Sequence, residues 1–349
     1  MKQKFQQRLA KWLDRPTRPD GINDADGLGA IGTTVGNVRS ENQDRAVIAR
    51  YSSRFPSESF VFYGLCDGIG GLRDGGVCAS LALSGAILEL IANCREELFR
   101  RMRDAAFAAN EDIFRFYHEN GGCTYSAVCL TPSFRPQGIN VGDSRIYARD
   151  QTGLVQISSD DNIESQLQLL GNFGSGGTFS KQLTQYLGMG PSLQPKSVRL
   201  PDEKNLFITS DGIHYLGEKM LSEFVERAPT ASETVKRITS VVTWAKGADN
   251  GTIICLPRTT DYNHIFRESF RSPGLLEVWD SFGKLEMFVN SEDVERSRCL
   301  ILREDASFHG PQHVFTDSQK KKPIQKKRKK LSAKGQGLPE IEITENPET

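Results

Sequence analysis

The sequence lacks the features that mark membrane-spanning, secreted and zinc-binding proteins. We expect no apolar run of the roughly 18 residues that a membrane span needs, and the charged N-terminus has no apolar signal core. The seven cysteines are scattered without a Cys-x-x-Cys pair and are interpreted as reduced, mostly buried thiols. We therefore expect no transmembrane segment and a cytoplasmic location, or a nuclear one if the source is eukaryotic.

The chain also lacks an excess of either charge and a P-loop. Its 44 Lys and Arg residues equal its 44 Asp and Glu residues, so overall charge points to neither nucleic acid nor membrane. The glycine-rich stretch 171–177 is not followed by Gly-Lys-Ser/Thr, which excludes a P-loop and predicts a mobile loop. With 38% hydrophobic and 25% charged residues, the composition is typical of a folded soluble protein.

Residues 1–22 have the pattern of a short basic amphipathic helix. Phe5, Leu9, Trp12 and Leu13 share one helical face, and lysines and arginines occupy the rest. Such a helix packs on its own domain or docks on a membrane surface or a partner. We favour packing on its own domain.

Apolar segments of β type alternate with helical segments from residue 32 onward. The pattern predicts buried helices over 79–93 and 101–117, two more helices between 217 and 245, and a hairpin of strands 275–279 and 284–289. Further strands are predicted at 45–51, 59–67, 124–130, 138–141, 144–149, 205–209 and 251–256.

Aspartates stand beside glycines where several predicted strands end. The four places are Asp67-Gly68, Gly142-Asp143, Ser210-Asp211-Gly212 and Asp249-Asn250-Gly251. One Asp-Gly pair is an ordinary turn signal, but four pairs that each follow or precede an apolar strand are unusual. Carboxylates and a backbone carbonyl are the oxygen ligands that Mg²⁺ and Mn²⁺ prefer. The pattern therefore predicts a cluster that binds hard divalent cations.

Two such cations a few ångströms apart can bridge one water and orient it for in-line attack on phosphorus. That chemistry needs no protein nucleophile. An arginine completes it, because the planar guanidinium binds two phosphate oxygens at once. Arg39, which precedes Asn42-Gln43-Asp44, is the candidate.

In order and approximate spacing, these motifs resemble the metal-dependent protein phosphatase family, type 2C, over residues 26–258. The matching segments are 39–44, 67–71, 142–145, 210–212 and 249–252. The resemblance implies an α+β fold: a four-layer α-β-β-α sandwich of two antiparallel sheets flanked by helices, with a metal cleft at one end. It also implies a serine/threonine protein phosphatase that uses two Mn²⁺ or Mg²⁺ ions.

The resemblance assigns a role to each matching residue. Asp67 would bridge both metals, the carbonyl of Gly68 would bind one of them, and Asp211 and Asp249 would bind the other. Asp44 would support the cluster, largely through water.

The resemblance assigns two further roles, and the sequence departs from the family pattern at three positions. Arg39 would hold the substrate phosphate, and Asp143 would help to bind a weaker third metal, although Tyr215 replaces a possible partner aspartate. Gln43 stands where many members carry glutamate, so the affinity for one metal is expected to be modestly lower. Ile69 stands where some members carry a histidine proposed as general acid, so water is the expected proton source.

His214 is the remaining candidate acid, because the unperturbed pKa of histidine lies near neutrality. A structural role at a helix start is the favoured interpretation.

The chain divides, on this interpretation, into an N-terminal basic amphipathic segment (1–25), a phosphatase domain (26–258), a small β-containing accessory module (259–317) and a disordered tail (318–349). The tail is lysine-rich between 320 and 330 and then acidic. The module is interpreted equally well as a substrate-recognition element and as a cover for a hydrophobic face.

Expected partners are phosphoserine and phosphothreonine proteins and, because the motif variants look more like bacterial members, a cognate serine/threonine kinase. Two alternatives stay open. One is a catalytically inactive relative that binds a phosphoprotein as a scaffold. The other is a protein that acts mainly by binding nucleic acid or an anionic surface through the 320–330 segment.

Overall fold

The computed structural model describes residues 2–151, 153–169, 182–201, 205–257, 265–266 and 272–289. Within these ranges the helices are α1 (Lys2–Leu13), α2 (Gly75–Ala92), α3 (Leu98–Tyr117), α4 (Ile163–Leu169), α5 (Asp211–His214), α6 (Glu218–Arg227) and α7 (Ala231–Trp244). The strands up to residue 150 are β1 (Gly21–Asp24), β2 (Ala30–Thr34), β3 (Arg45–Ser52), β4 (Phe60–Cys66), β5 (Tyr125–Leu130), β6 (Gln137–Val141) and β7 (Arg145–Asp150). The later strands are β8 (Gly153–Gln156), β9 (Lys196–Val198), β10 (Leu206–Thr209), β11 (Gly251–Cys255), β12 (Leu275–Asp280) and β13 (Gly283–Phe288).

The strands form two antiparallel sheets that pack face to face. One sheet has six strands in the order β1-β2-β11-β10-β7-β8, and the other has seven in the order β13-β12-β3-β4-β5-β6-β9. Alternate residues of β3 face opposite ways: Ile48 contributes to the core between the sheets, whereas Val47 and Ala49 contribute to the core beneath the helices. Helices α2 and α3 contact the seven-stranded sheet, and α6 and α7 contact the other. The predicted four-layer α+β sandwich is confirmed.

Helix α2 is the apolar centre of the layer on the seven-stranded sheet. Among the described residues it is the one helix long and apolar enough to cross a membrane by length and composition, but 94% of it is buried inside the protein. It contacts α1, α3, β3 and β4, so apolar residues are needed on every side. The expectation that no apolar run approaches the length of a membrane span was therefore wrong. The run in α2 is apolar because the helix is buried in the core of the protein.

Helix α1 packs against α2, as the favoured interpretation of the N-terminus has it. Leu9 and Leu13 are buried in the same core as α2, and Phe5 and Trp12 pack partly buried against it. The apolar face of the predicted amphipathic helix is thus covered by the protein itself.

The segments assigned by sequence to the two flanks also contribute strands to the sandwich. Strand β1 lies within residues 1–25 and pairs with β2, and the β12–β13 hairpin pairs with β3, an otherwise open sheet edge. Trp279 of β12 is buried between the two sheets. The hairpin is therefore part of the seven-stranded sheet, which corrects its assignment to a separate accessory module. The limits drawn at 258 and 317, the glycine-rich stretch 171–177 and the tail lie outside the described residues.

We expect Leu9→Ala to destabilise the protein by about 2–5 kcal/mol, because the side chain is fully buried against α2 and its loss leaves a cavity. Urea unfolding followed by circular dichroism measures the change. Lys11→Ala on the exposed face of α1 is the matched control and should lie within about 0.5 kcal/mol of wild type. Equal stability of the two variants would show that α1 does not depend on this packing.

Candidate metal centre

One end of the sandwich opens into a cleft of about 450 Å³. The cleft lies where β4 and β10 end and where β7 and β11 begin. Strand β10 is antiparallel to both β7 and β11, so its end lies beside their beginnings. Six of the seven residues singled out by sequence line this cleft: Arg39, Asp67, Gly68, Asp143, Asp211 and Asp249. The seventh, Asp44, is buried with 5% of its surface exposed. The fold thus brings together residues that are up to 210 positions apart in the chain.

Asp67 follows directly on β4 and is fixed by Thr124. Its backbone N–H donates to Thr124 Oγ1 (3.0 Å), and its carbonyl accepts from the Thr124 N–H (2.8 Å). Thr124 Oγ1 also shares a hydrogen bond of 2.7 Å with Ser144 Oγ, next to Asp143. Thr124 therefore ties two of the acidic turns together, a role that its plain strand-like sequence context did not reveal.

Gly68 allows the start of α2 to approach this turn. A Cβ atom at Gly68 would lie 2.5 Å from the backbone of Gly75, the first residue of α2. A side chain here would push the helix and the turn apart. This close approach, rather than turn geometry alone, is what requires glycine.

Asp44 lies at the base of the site and has one satisfied and one unsatisfied oxygen. Its Oδ2 accepts from Ser210 Oγ (2.8 Å), whereas its buried Oδ1 has no hydrogen-bond partner. Ser210 Oγ accepts in turn from the Thr252 N–H (2.9 Å), so the support reaches β11. Burial raises the pKa of Asp44 to about 6.

Asn250 connects the loop that carries Arg39 to the start of β11. Its Nδ2 donates to the carbonyls of Val35 and Glu41 (3.0 Å each), and its Oδ1 accepts from the Gln43 N–H (2.8 Å). A buried amide that bonds three separate backbone groups leaves the loop little freedom. The residue was part of a recognised motif, but its amide type was the only hint of this role.

Asp211 and Asp249 occupy neighbouring positions at the cleft. Asp211 is the first residue of α5, directly after β10, and a Cβ atom on the following Gly212 would collide with the carbonyl oxygen of Asn250. This tight contact between α5 and the start of β11 keeps the two aspartates on adjacent segments.

Arg39 holds Asp249 in a bidentate ion pair. Its Nε donates to Oδ1 and its Nη2 to Oδ2, both at 2.7 Å. Burial acts to raise the pKa of Asp249, but the hydrogen bonds from Arg39 and from the Asn250 N–H outweigh it and hold that pKa below its ordinary value. The same pairing raises the pKa of Arg39.

Two further carboxylates of the cleft, Asp67 and Asp143, have raised pKa values and are therefore harder to ionise. Burial raises the pKa of Asp67 well above its ordinary value, and the charges of Asp44, Asp211, Asp143 and Asp249 raise it further. Burial, followed by the charge of Asp211, raises the pKa of Asp143 to about 7. Carboxylates in mutual repulsion are stabilised by bound cations.

The donor set fits hard divalent cations. It consists of aspartate oxygens, a glycine carbonyl and the unsatisfied buried Oδ1 of Asp44, and oxygen ligands are what Mn²⁺ and Mg²⁺ take. As they are placed in the described part of the chain, no three His, Cys, Asp or Glu side chains form a group that could hold a metal ion. Arg39 donates to both oxygens of Asp249, so a cation at that carboxylate would compete with the ion pair.

The cleft is also lined by mostly apolar residues to which the sequence assigned no role. Gln182, Leu183 and Tyr186 line the cleft together with Ile69 and Leu72. The first three residues follow a segment outside the described ranges and carry no motif. No local signal in the sequence pointed to them.

His214 is in contact with Thr209, whose Oγ1 lies 3.3 Å from His214 Nδ1. It is not among the residues that line the cleft, and Tyr215 beside it is 48% exposed. These positions support the structural interpretation of His214.

Comparison with known proteins identifies the architecture. No protein-family model and no curated protein matches the chain. The PPM Ser/Thr phosphatase MsPP of Mycobacterium smegmatis, solved with cacodylate, is 24% identical, with a TM-score of 0.55 over 65% of this chain and 97% of that chain. The serine/threonine phosphatase PstP/Ppp of Mycobacterium tuberculosis is 21% identical, with a TM-score of 0.55 over 67% and 97%. The catalytic domain of PstP with two manganese ions is 22% identical, with a TM-score of 0.54 over 68% and 99%.

This likeness establishes the fold of the chain. The two antiparallel sheets and their flanking helices are those of the bacterial PPM phosphatases, as the order of the sequence motifs indicated.

We expect Ser210→Ala to lower the free energy of unfolding by about 1–3 kcal/mol in the presence of chelator. The change removes the hydroxyl donor to buried Asp44 and leaves the Thr252 N–H without its acceptor. Urea unfolding in EDTA measures this cost. Ser240→Ala, on the exposed face of α7, is the control and should change stability by less than about 0.5 kcal/mol. An unchanged Ser210→Ala variant would contradict the structural importance of this network.

Proposed function

We propose that this protein is a metal-dependent serine/threonine protein phosphatase that hydrolyses phosphoserine and phosphothreonine in proteins. The observation that carries the proposal is the convergence of Asp67, Asp143, Asp211 and Asp249 on one cleft with Arg39. The PPM fold and the hard-oxygen character of the donors support it. Fold alone does not fix function, so the side chains in the cleft carry the proposal.

Two Mn²⁺ or Mg²⁺ ions would be held by Asp67, the carbonyl of Gly68, Asp211 and Asp249, with Asp44 supporting them through water. When bound, the ions would supply an activated water for in-line attack and would offset negative charge on the phosphoryl oxygens. Asp143 is the residue available for a weaker third ion. The manganese ions in the PstP catalytic domain support this choice of metal.

Arg39 would bind the phosphate of the substrate. Its guanidinium already makes two parallel hydrogen bonds to a carboxylate, and phosphate presents two oxygens with a similar spacing. A cation on Asp249 competes with Arg39 for the same oxygens. Metal binding would therefore free the guanidinium for the phosphate, so that one exchange prepares both parts of the site.

The leaving serine or threonine oxygen takes its proton from solvent water on this proposal. The residues that line the described cleft include no histidine, lysine or cysteine, and Ile69 stands at the position of the expected acid. The apolar wall of Ile69, Leu72, Leu183 and Tyr186 would contact the polypeptide on either side of the phosphorylated residue. A cognate kinase and a role for the 320–330 segment remain predictions from the sequence.

The wild-type protein should release phosphate from a phosphothreonine peptide with Mn²⁺ or Mg²⁺ and not with EDTA. Asp211→Asn should lower this activity by more than about 100-fold, because an amide replaces a charged metal ligand. A colorimetric phosphate assay measures both effects. The control is Glu223→Gln on the surface of α6, which should retain full activity. A folded wild type that binds Mn²⁺ but hydrolyses none of several phosphopeptides would favour the phosphoprotein-binding scaffold instead.

Arg39→Lys should raise KM for the phosphopeptide by about 10-fold or more, with a smaller change in the apparent affinity for Mn²⁺. Lysine keeps the positive charge but cannot make the two parallel hydrogen bonds of the guanidinium. Steady-state kinetics at saturating Mn²⁺ measure the effect. Arg115→Lys, in an exposed ion pair on α3, is the control. An unchanged KM in Arg39→Lys would remove Arg39 from the substrate site.

A further inference from the structure

Arg45 connects the loop of Asp44 to two helices that carry no metal-site residue. Its Nη1 donates to the carbonyls of Asn42 (2.7 Å) and Asp44 (2.9 Å), and its Nη2 pairs with Asp14 Oδ1 (2.9 Å) just after α1. Its Nε donates to Ser80 Oγ on α2 (3.2 Å). All three nitrogens of the guanidinium thus donate hydrogen bonds. Nη1 bonds the loop of Asp44, Nη2 bonds the residue after α1, and Nε bonds α2.

The α1 side of this arrangement is itself tied to the β12–β13 turn. Arg15 makes a bidentate pair with Asp280 (2.6 and 3.0 Å) and lies 4.0 Å from the centre of the Trp12 ring. Asp280 also accepts from the N–H groups of Phe282 and Gly283 (2.8 and 2.9 Å). The residues after α1 and the hairpin turn therefore form one connected support.

The support meets the metal-binding loop directly behind Asp44. A small cavity of about 20 Å³ is lined by Leu13 and Thr17 after α1, by Asn42 and Asp44 of the loop, and by Asp280 of the hairpin turn. This volume is close to the space that one water molecule occupies. The segment after α1 and the β12–β13 turn therefore lie close to Asp44.

We propose that Arg45, held by Asp14, is a positioning residue that sets the affinity of the site for its divalent cations. This inference rests on the proposed function, because it concerns the cations that the phosphatase site would bind. Arg45 fixes the carbonyls on both sides of Gln43, and Ser210 fixes one oxygen of Asp44. Because Arg45 bonds the backbone carbonyl of Asp44 and Ser210 bonds its carboxylate, Asp44 keeps one orientation relative to the proposed metal site.

The physical reason is the cost of ordering a charged loop among other carboxylates. Without Arg45 the loop could rotate Asp44 away from Asp67 and lower their repulsion, and a cation would then have to pull it back. Outer groups that orient ligands in this way typically change metal affinity by about 10–100-fold when they are lost. Asp14 and Asp280 lie outside the 26–258 stretch that carries the sequence motifs, so this support is supplied by the flanks of the chain.

The test measures Mn²⁺ binding by isothermal titration calorimetry on the full-length wild type, Asp14→Ala and Arg45→Lys. Arg45→Lys keeps the charge but loses the planar fork, and we expect its Kd for Mn²⁺ to rise about 10-fold, with a smaller rise for Asp14→Ala. Glu111→Ala, which breaks an exposed ion pair on α3 far from this loop in the chain, should bind as wild type does. Thermal unfolding in EDTA shows whether each variant is folded.

A second readout separates positioning from a general loss of stability. Excess Mn²⁺ should restore kcat of the variants to near the wild-type value, because the ligands are intact and only their placement is weakened. Wild-type Mn²⁺ affinity in both folded variants would overturn the inference, and if Arg45→Lys does not fold, Asp14→Ala decides alone. A wild type that binds Mn²⁺ but releases no phosphate would refute the proposed function and leave the positioning role standing. A wild type that binds no Mn²⁺ would overturn both.

Discussion

Electrostatic repulsion among aspartates held at one end of the sandwich is the constraint on which the rest of the site depends. The charges of four other aspartates raise the pKa of Asp67, in addition to the larger effect of its own burial. Such a cluster persists only if the fold holds it against its own repulsion. Hydroxyl and amide groups of Ser210, Thr124 and Asn250 do this, because they bond turns from both sheets without adding charge.

The two-sheet architecture makes this gathering possible. Antiparallel pairing alternates strand direction, so the end of one strand lies beside the beginning of its neighbour, as Thr209 and Arg145 do. Turns that are distant in the chain therefore meet at one edge of the sandwich. Packing the two sheets face to face then doubles the number of turns at that edge. Close contacts that only glycine permits, at Gly68 and Gly212, bring α2 and α5 against these turns.

Arg39 and Arg45 contact the acidic cluster differently: Arg39 pairs with a carboxylate, whereas Arg45 bonds backbone carbonyls. Arg39 lies at the accessible side and pairs with Asp249, and both side chains are partly exposed. Arg45 lies behind the cluster and bonds backbone carbonyls and Asp14, so it orders the loop without competing for a ligand oxygen. On the proposed function, Arg39 would give way to a bound cation while Arg45 keeps the loop in place.

The sequence alone determined the long elements and the ligand candidates. Continuous apolar runs mark β3, β4 and α2, an amphipathic pattern marks α3, and the Asp-Gly turns have a distinctive order. Short strands such as β1 and β9, which have little periodicity, were not predicted. Only the tertiary structure placed the β12–β13 hairpin in the main sheet and revealed Thr124, Asn250 and Arg45 as supports. Their roles arise from contacts between residues far apart in the chain, and such contacts leave no local pattern.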